Sequence, residues 1–356
     1  MAVKILILLP RIPYPLRDGG SIAMNQSIEA YLEQGCDVSV VAMNTSRHWV
    51  EEGSLPAIYQ QLSFFKSIYV KTDINPLSAF FNLFSDKSYN VARFINKEFD
   101  KELVRLLQND EFDIIQFESI YTAPYLETTR KHSQAKCFCR VHNIEHLIWQ
   151  RLTDHESSFL KRNYLKILTQ RLKTYEEQIL TRFDMLLPIS KKEQEFFVST
   201  TKNPCYYLPF GIDITNSLPN IECEQQSMYH IGSMDWAPNV EGVHWFLDEV
   251  WPLVHEQSPE ITLYLAGKNM PASILSRKDH KLVVVGEVDD VVRFSLEKNI
   301  MIVPLLSGAG VRIKILEAMA MGKTIITTSI GAEGIGATHQ QHLLIVTLHY
   351  YRIKLQ

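Results

Sequence analysis

The stretch SGAGVRIKILEAMAMGKTII, residues 307–326, decides the fold of the second half of the chain. A glycine-spaced turn follows an apolar run of β-strand type, and a helix of small and apolar residues begins near Arg312. A β-branched strand follows Gly322. Glycine allows a ligand to approach the backbone closely, and the free amides at a helix N-terminus attract an anion. Arg312 and Lys314 add two positive charges, so this strand–turn–helix suits a diphosphate.

A single carboxylate, Glu317, lies further along the same helix. It could accept two hydrogen bonds from a vicinal diol such as ribose, as an acidic residue does in dinucleotide-binding folds. The residues alone leave a second interpretation equally open, namely an ordinary helix start with two solvated cations and one exposed acid.

Strand and helix patterns alternate along the chain, which indicates mostly parallel sheets covered by helices on both faces. A stretch rich in proline and asparagine interrupts the alternation once. We therefore predict an α/β protein with two doubly wound domains, residues 1–208 and 227–356, joined by a linker at 209–226. The predicted strands are 3–9, 38–43, 112–117, 136–141, 184–189, 206–208, 228–231, 261–266, 281–285, 300–303 and 324–328. The predicted helices are 21–33, 120–130, 159–180, one that follows Ser190, 240–255, 288–298 and 313–321.

Composition excludes several classes of protein. The 356 residues carry a net charge of -4, which gives no reason to expect nucleic-acid binding. The apolar run at residues 3–9 is too short for a signal peptide or a membrane span. We therefore expect a cytoplasmic protein, at most peripheral to the cytoplasmic membrane. The five cysteines form no C-x-x-C pair, and no D-x-D pair of carboxylates is present, so we expect no metal site.

Five segments, in order, resemble family 4 retaining glycosyltransferases, which have the GT-B fold. The first domain contributes RIPYPLRDGGSIAMNQ and RVHNIEH, and the junction contributes LPFGID. The second domain contributes HIGSMDWAPNVEGVHWFLDEVWPLV and GAGVRIKILEAMAMGKTIITTSIGAEG. The segment SMDWAPN is typical of one bacterial subgroup. The resemblance extends from residue 3 to about residue 346.

The resemblance implies two Rossmann-like domains that face a cleft, with the nucleotide sugar on the second and the acceptor on the first. Glu317 aligns with the ribose-binding glutamate of the family. The donor is expected to contact backbone or side chains of a further set of residues, and a catalytic histidine to reach towards the sugar or acceptor. The donor-binding set is Gly19, Gly20, Ser233, Gly308, Ala309 and Gly310, and the histidine is His142.

Two departures from the family pattern bear on this expectation. Ala309 occupies the position of the first glutamate in the family's E-x7-E pattern, so the sugar would be held by backbone amides of 308–310 or by other side chains. The loop that begins at Ser233 lacks the usual arginine and lysine for the phosphates. We expect Arg312 and Lys314 to supply that charge and to act in catalysis.

The resemblance also implies transfer with retention to a glycan or lipid-linked hydroxyl acceptor, without a metal or cofactor, in cell-surface polysaccharide synthesis. A nucleotide-sugar epimerase and a degenerate nucleotide-binding protein are the alternatives. The second is motivated by Ala309 and by the tail at 347–356, which lacks the family pattern and resembles a truncation that would remove C-terminal helices. Residues 159–173 could lie on anionic lipid, although an ordinary surface helix with its apolar face in the core accounts better for them. Residues 79–84 are either buried or receive a lipid-linked acceptor.

Overall fold

The computed structural model describes residues 2–16, 19–154, 156–209, 211–212, 218–308 and 310–346. The chain divides into two compact units, Met1–Gly211 and Ile212–Gln356. Each unit contains one six-stranded sheet in which every pair of neighbouring strands is parallel. The predicted pair of doubly wound sheets is therefore confirmed. The tail at 347–356 and Ala309 lie outside the described residues.

The strands of the first unit are ordered β3-β2-β1-β4-β5-β6. Those of the second unit are ordered β12-β11-β10-β7-β8-β9, which is the same arrangement. In each sheet the order reverses beside the unit's first strand, and ligands of open parallel sheets bind at this point, beyond the carboxyl ends of the strands. The strands are β1 Lys4–Leu9, β2 Asp37–Thr45, β3 Phe64–Val70, β4 Ile114–Glu118, β5 Lys136–Val141, β6 Met185–Pro188, β7 Glu224–Ile231, β8 Thr262–Ala266, β9 Leu282–Gly286, β10 Lys298–Val303, β11 Thr324–Thr328 and β12 Leu344–Val346.

Helices connect the strands and cover both faces of each sheet. Three short 3-10 turns and one π-helical turn, Phe246–Val250, accompany them among the described residues. The α-helices are α1 Gly19–Glu33, α2 Pro76–Asn82, α3 Tyr89–Ala92, α4 Lys97–Asn109, α5 Leu126–His132, α6 Glu145–Asp154, α7 Phe159–Leu180, α8 Lys191–Thr200, α9 Ala237–Trp245, α10 Trp251–Gln257, α11 Ala272–Leu275, α12 Val291–Leu296 and α13 Ile313–Ala320.

Strand β1 shows how the sequence builds the core. Five of its six residues are buried and apolar, without the alternation of a strand that has one wet face. Leu6 and Leu8 pack into one hydrophobic cluster, and Ile5 and Ile7 pack into another. Because successive side chains of a strand point to opposite faces, β1 contributes to both layers of the core.

Some predicted elements were wrong in detail. Residues 206–208 form no strand, and Cys205 makes only an isolated bridge to Leu186. Helix α1 begins at Gly19, so Ser21 is a buried residue of its first turn and does not precede the helix. The helix predicted at 240–255 is divided by the π-helical turn.

Candidate functional site

The most distinctive polar cluster of the second unit lies where the sheet order reverses. Strands β7 and β10 are neighbours there, and both end at the same edge. The loop after β7 carries Ser233 and Trp236, and the loop after β10 leads into α13, which carries Lys314 and Glu317. The fold thus brings together the two segments that the sequence singled out in this half of the chain.

Lys314 is fixed beneath the loop that follows β7. Its Nζ donates to the carbonyl of Ile231 at 3.1 Å and to Oδ1 of Asn239 at 3.1 Å. The Asn239 amide in turn donates to the carbonyl of Ser233 at 2.8 Å. A Cβ atom on Gly232 would lie only 2.9 Å from the Lys314 Nζ, so a side chain at this position would displace the ammonium group. Asn239 therefore links the cation to the β7 loop.

The charge of Lys314 is poorly compensated. Among the described residues it makes no ion pair with a carboxylate, and both of its hydrogen-bond acceptors are neutral. Burial, with a smaller contribution from the neighbouring Arg312 guanidinium, lowers the pKa of Lys314 to about 7. A bound anion would supply the missing negative charge and raise this pKa again.

Arg312 and the glycine turn pack against Trp236. The Arg312 guanidinium carbon lies 5.1 Å from the centre of a Trp236 ring, and its Nη1 donates to the carbonyl of Gly310 at 2.7 Å. Gly308 and Gly310 have φ angles of +117° and +85°, which side-chain-bearing residues rarely adopt. A Cβ atom on Gly308 would lie 2.9 Å from two carbons of the Trp236 ring. The turn therefore requires glycine for both conformation and space.

Glu317 is three residues after Lys314, which places the two side chains on neighbouring positions of one helix face. It is half-buried, and burial raises the pKa of its carboxyl. No hydrogen bond to its side chain occurs within the described part of the chain. Ser233 is exposed, and its hydroxyl donates to Asp235 at 3.2 Å, which orders the β7 loop. The carboxylate of Glu317 thus retains its capacity to accept hydrogen bonds from a ligand.

In the first unit, His142 follows β5 and is held by a buried carboxylate. Its Nε2 lies 2.6 Å from Oε2 of Glu118, the last residue of the neighbouring strand β4. The Gln116 amide donates to the other oxygen of Glu118 at 2.6 Å, and the buried Arg140 guanidinium lies 3.8 Å from it. Burial acts to raise the pKa of Glu118, but Arg140 and the bond from His142 outweigh burial and lower this pKa.

This geometry determines the tautomer of His142. An ionised carboxylate can only accept a hydrogen bond, so the Nε2 of His142 carries the proton that is shared with Glu118. The imidazole Nδ1 makes no hydrogen bond within the described residues. Neutral His142 therefore presents an acceptor nitrogen.

Another buried carboxylate fixes the start of α6, directly after His142. Glu176 of α7 accepts from the backbone amides of Glu145 at 2.9 Å and His146 at 3.0 Å. Its Oε2 also lies 2.6 Å from the His146 Nδ1. Burial and the neighbouring Glu176 raise the pKa of Glu145 to about 7, while Tyr121 donates to Glu145 at 2.9 Å. The loop that carries His142 is thus anchored to α7.

Two predicted site residues of the first unit remain, and both are glycines. Gly19 and Gly20 are the first two residues of α1, which follows β1. Sequence reasoning missed Asn239 as the partner of Lys314 and Glu118 as the partner of His142. Glu118 could have been identified from the sequence, because it is a charged residue at the end of the mostly apolar strand IIQFE. Such a residue falls on the ligand-binding edge of a parallel sheet.

The described residues contain neither a metal-binding cluster nor a membrane-spanning helix. No group of three or more His, Cys, Asp or Glu side chains in these residues is arranged to hold a metal ion. Within the same residues, every helix is too short or too polar to span a bilayer.

Comparisons with known proteins agree with the architecture. Residues 225–348, about a third of the chain, match the family model described as Glycosyl transferases group 1. A protein described as an uncharacterized 44.6 kDa protein in the cps region of Klebsiella pneumoniae is 26% identical over 355 residues, which cover 96% of this chain and 87% of that protein.

Solved structures show the same fold at low sequence identity. Sucrose-phosphate synthase from Thermosynechococcus elongatus has a TM-score of 0.65 at 15% identity, covering 98% of this chain and 87% of the other. WaaG, a glycosyltransferase involved in lipopolysaccharide biosynthesis, has a TM-score of 0.62 at 15% identity, covering 99% and 89%. Anabaena HepE in complex with UDP has a TM-score of 0.62 at 12% identity, covering 99% and 88%. The chain therefore has the GT-B fold of two Rossmann-like domains, and its second unit carries a segment of the glycosyl transferases group 1 type.

Proposed function

We propose that this protein transfers a sugar from a nucleoside diphosphate sugar to a hydroxyl acceptor, with retention of configuration, in cell-surface polysaccharide synthesis. The observation that carries the proposal is Lys314, a cation without a carboxylate partner among the described residues, at the switch point of the second sheet. The family match of residues 225–348 covers this site. The similarity to a protein from a cps region supports the cellular setting.

In this proposal the diphosphate lies against Lys314 and Arg312, beside the amino end of α13. Negative charge accumulates on the diphosphate as its bond to the sugar breaks, and fixed cations and helix amides stabilise that charge. The bound diphosphate raises the pKa of Lys314, so the lysine is fully charged when it is needed. Glu317 accepts the two ribose hydroxyl groups, and its pKa falls because hydrogen bonds favour the carboxylate form.

The first unit supplies the groups for the acceptor or the transferred sugar. His142 accepts a hydrogen bond from a hydroxyl group through Nδ1, because Glu118 holds Nε2. Gly19 and Gly20, at the start of α1, have no side chain of their own to keep a ligand from the backbone. Complexes of the similar protein HepE contain UDP, UDP with glucose, or UDP-glucose, which supports a nucleotide sugar as the donor here.

A ligand panel followed by product analysis tests the proposal. Nucleoside diphosphates and nucleotide sugars are screened by thermal shift, and the best nucleotide sugar is incubated with polysaccharide-repeat acceptors. We expect binding that depends on Lys314 and a glycoside with the anomeric configuration of the donor, determined by NMR. Product from the donor alone would indicate an epimerase. Binding without turnover on any acceptor would indicate a non-catalytic nucleotide-binding protein.

A further inference from the structure

Helix α2 exposes one apolar side to solvent. Leu77 and Phe81 are one turn apart and are 70% and 68% exposed, and Phe84, just beyond the helix, is 78% exposed. The opposite side of α2 is anchored, since Ala79 packs in a small cluster with Leu168 of α7. The exposed apolar side chains therefore belong to a helix whose other side is packed against α7.

The amino-terminal half of α7 continues the same kind of surface. Its first buried residue is Leu168, so the nine residues before it bury no side chain fully. Leu160 is 80% exposed, and Ile167, two turns further along the same side, is also exposed. The alternative of an ordinary helix with its apolar face in the core therefore fits only the carboxyl-terminal half of α7.

These two surfaces adjoin each other. Arg171, one turn after Ile167, donates to the carbonyls of Asn82 at 2.8 Å and Leu83 at 2.9 Å, at the end of α2. The side of α7 that carries Ile167 therefore lies next to the end of α2. We call the set formed by Leu77, Phe81, Phe84, Leu160 and Ile167 the apolar patch.

Positive charge surrounds the part of the patch that α7 provides. Residues 159–173 contain five basic residues and no acidic residue, although the protein as a whole has a net charge of -4. Lys161 pairs with Glu156 at 2.5 Å and Lys173 approaches Glu177 at 3.8 Å. Lys166 is exposed and makes no ion pair within the described residues. A partner of this surface must accept both apolar side chains and ammonium groups.

We propose that the apolar patch and the basic side chains of α7 dock this protein on the surface of an anionic lipid bilayer. Leucine and phenylalanine side chains enter the boundary between headgroups and acyl chains, and lysines beside them contact anionic headgroups. A second copy of the chain is a poorer partner, because a two-fold contact would bring the basic halves of two α7 helices together. The proposal goes beyond the transfer reaction and does not depend on it.

Vesicle flotation with the full chain tests the proposal without any activity measurement. We expect co-flotation with vesicles of phosphatidylcholine and phosphatidylglycerol, little with phosphatidylcholine alone, and release at about 0.5 M NaCl because salt screens the lysines. Lys166→Glu is expected to reduce the partition coefficient about fivefold or more. Leu77→Ser with Leu160→Ser is expected to reduce it roughly tenfold or more.

Matched controls change other exposed surfaces. Lys101→Glu, on α4, makes the same charge change, and Leu253→Ser with Leu275→Ser removes two exposed leucines of the second unit. Both controls should float like the unmodified protein. Equal loss in patch and control variants, or no preference for anionic vesicles, would overturn the proposal. So would a monomer–dimer shift in sedimentation velocity that only the patch variants abolish, since self-association would then occupy the surface.

Discussion

The proposed role of Lys314 predicts a specific pH dependence of nucleotide-sugar binding. With a pKa of about 7, Lys314 is roughly nine-tenths protonated at pH 6 and roughly one-tenth protonated at pH 8. A bound diphosphate raises this pKa, so affinity is greatest below pH 7 and falls as the pH rises through 7. If only the protonated form binds well, the dissociation constant increases about tenfold between pH 6 and pH 8.

Calorimetry with a nucleotide sugar measures this effect directly. The diphosphate of a nucleotide sugar has no proton that titrates in this range, whereas a free nucleoside diphosphate does. At pH 7, titrations in buffers of different ionisation enthalpy should show uptake of about half a proton per ligand bound. Lys314→Arg should bind with little pH dependence, because its guanidinium stays charged. Lys314→Met should bind weakly throughout.

The outcome that would refute the reasoning is equally specific. If Lys314→Met bound the nucleotide sugar with the affinity and pH dependence of the unmodified protein, Lys314 would not contact the diphosphate. If the dissociation constant of the unmodified protein did not change between pH 6 and pH 8, the ammonium group of Lys314 would be fully charged before the ligand binds.

Three further predictions concern the neighbours of these groups. Gly232→Ala places a methyl group 2.9 Å from the Lys314 Nζ and should weaken nucleotide-sugar binding in calorimetry, whereas Gly53→Ala, which meets nothing within 4 Å, should not. Glu317→Ala should abolish transfer without changing the melting temperature, and unchanged turnover would reject its role. Glu118→Gln leaves the buried Arg140 guanidinium without its counter-charge and should lower the free energy of unfolding in urea by about 3 kcal/mol. A loss no greater than that of Glu127→Gln, which removes the charge of an exposed carboxylate paired with Arg182, would contradict this.

Much of the fold followed from local pattern, and the exceptions have physical causes. Helix α7 was predicted with its observed ends, Phe159–Leu180, because its length and its apolar spacing leave no competing interpretation. Strand β3, Phe64–Val70, was missed because it is an edge strand with only two buried residues. Its sequence, FFKSIYV, mixes apolar and polar residues without regular alternation. The start of α1 was placed two residues late, since glycine pairs usually indicate a turn.

The site was predictable only in part. His142 in the first unit, and Arg312 and Lys314 in the second, follow the ends of predicted strands, so their place at the carboxyl edge of their own sheet could be predicted. Their partners depend on strand register, which aligns Glu118 with Arg140 across β4 and β5, and on the approach of α9 to α13, which sets Asn239 against Lys314. Neither the register nor the helix approach can be read from local sequence. The contacts of Ala309 lie outside the described residues.

The double use of helix α7 has a consequence for mutagenesis. Its amino-terminal turns carry Leu160 and Lys166, and Glu176, about 24 Å from Leu160 along the helix axis, holds the backbone that follows His142. Because both ends belong to one continuous helix, a substitution that tilts its amino-terminal turns is expected to shift Glu176 as well. Kinetic defects in variants of the exposed turns can therefore originate at the histidine, and each such variant has to be compared with one that alters Glu176 alone.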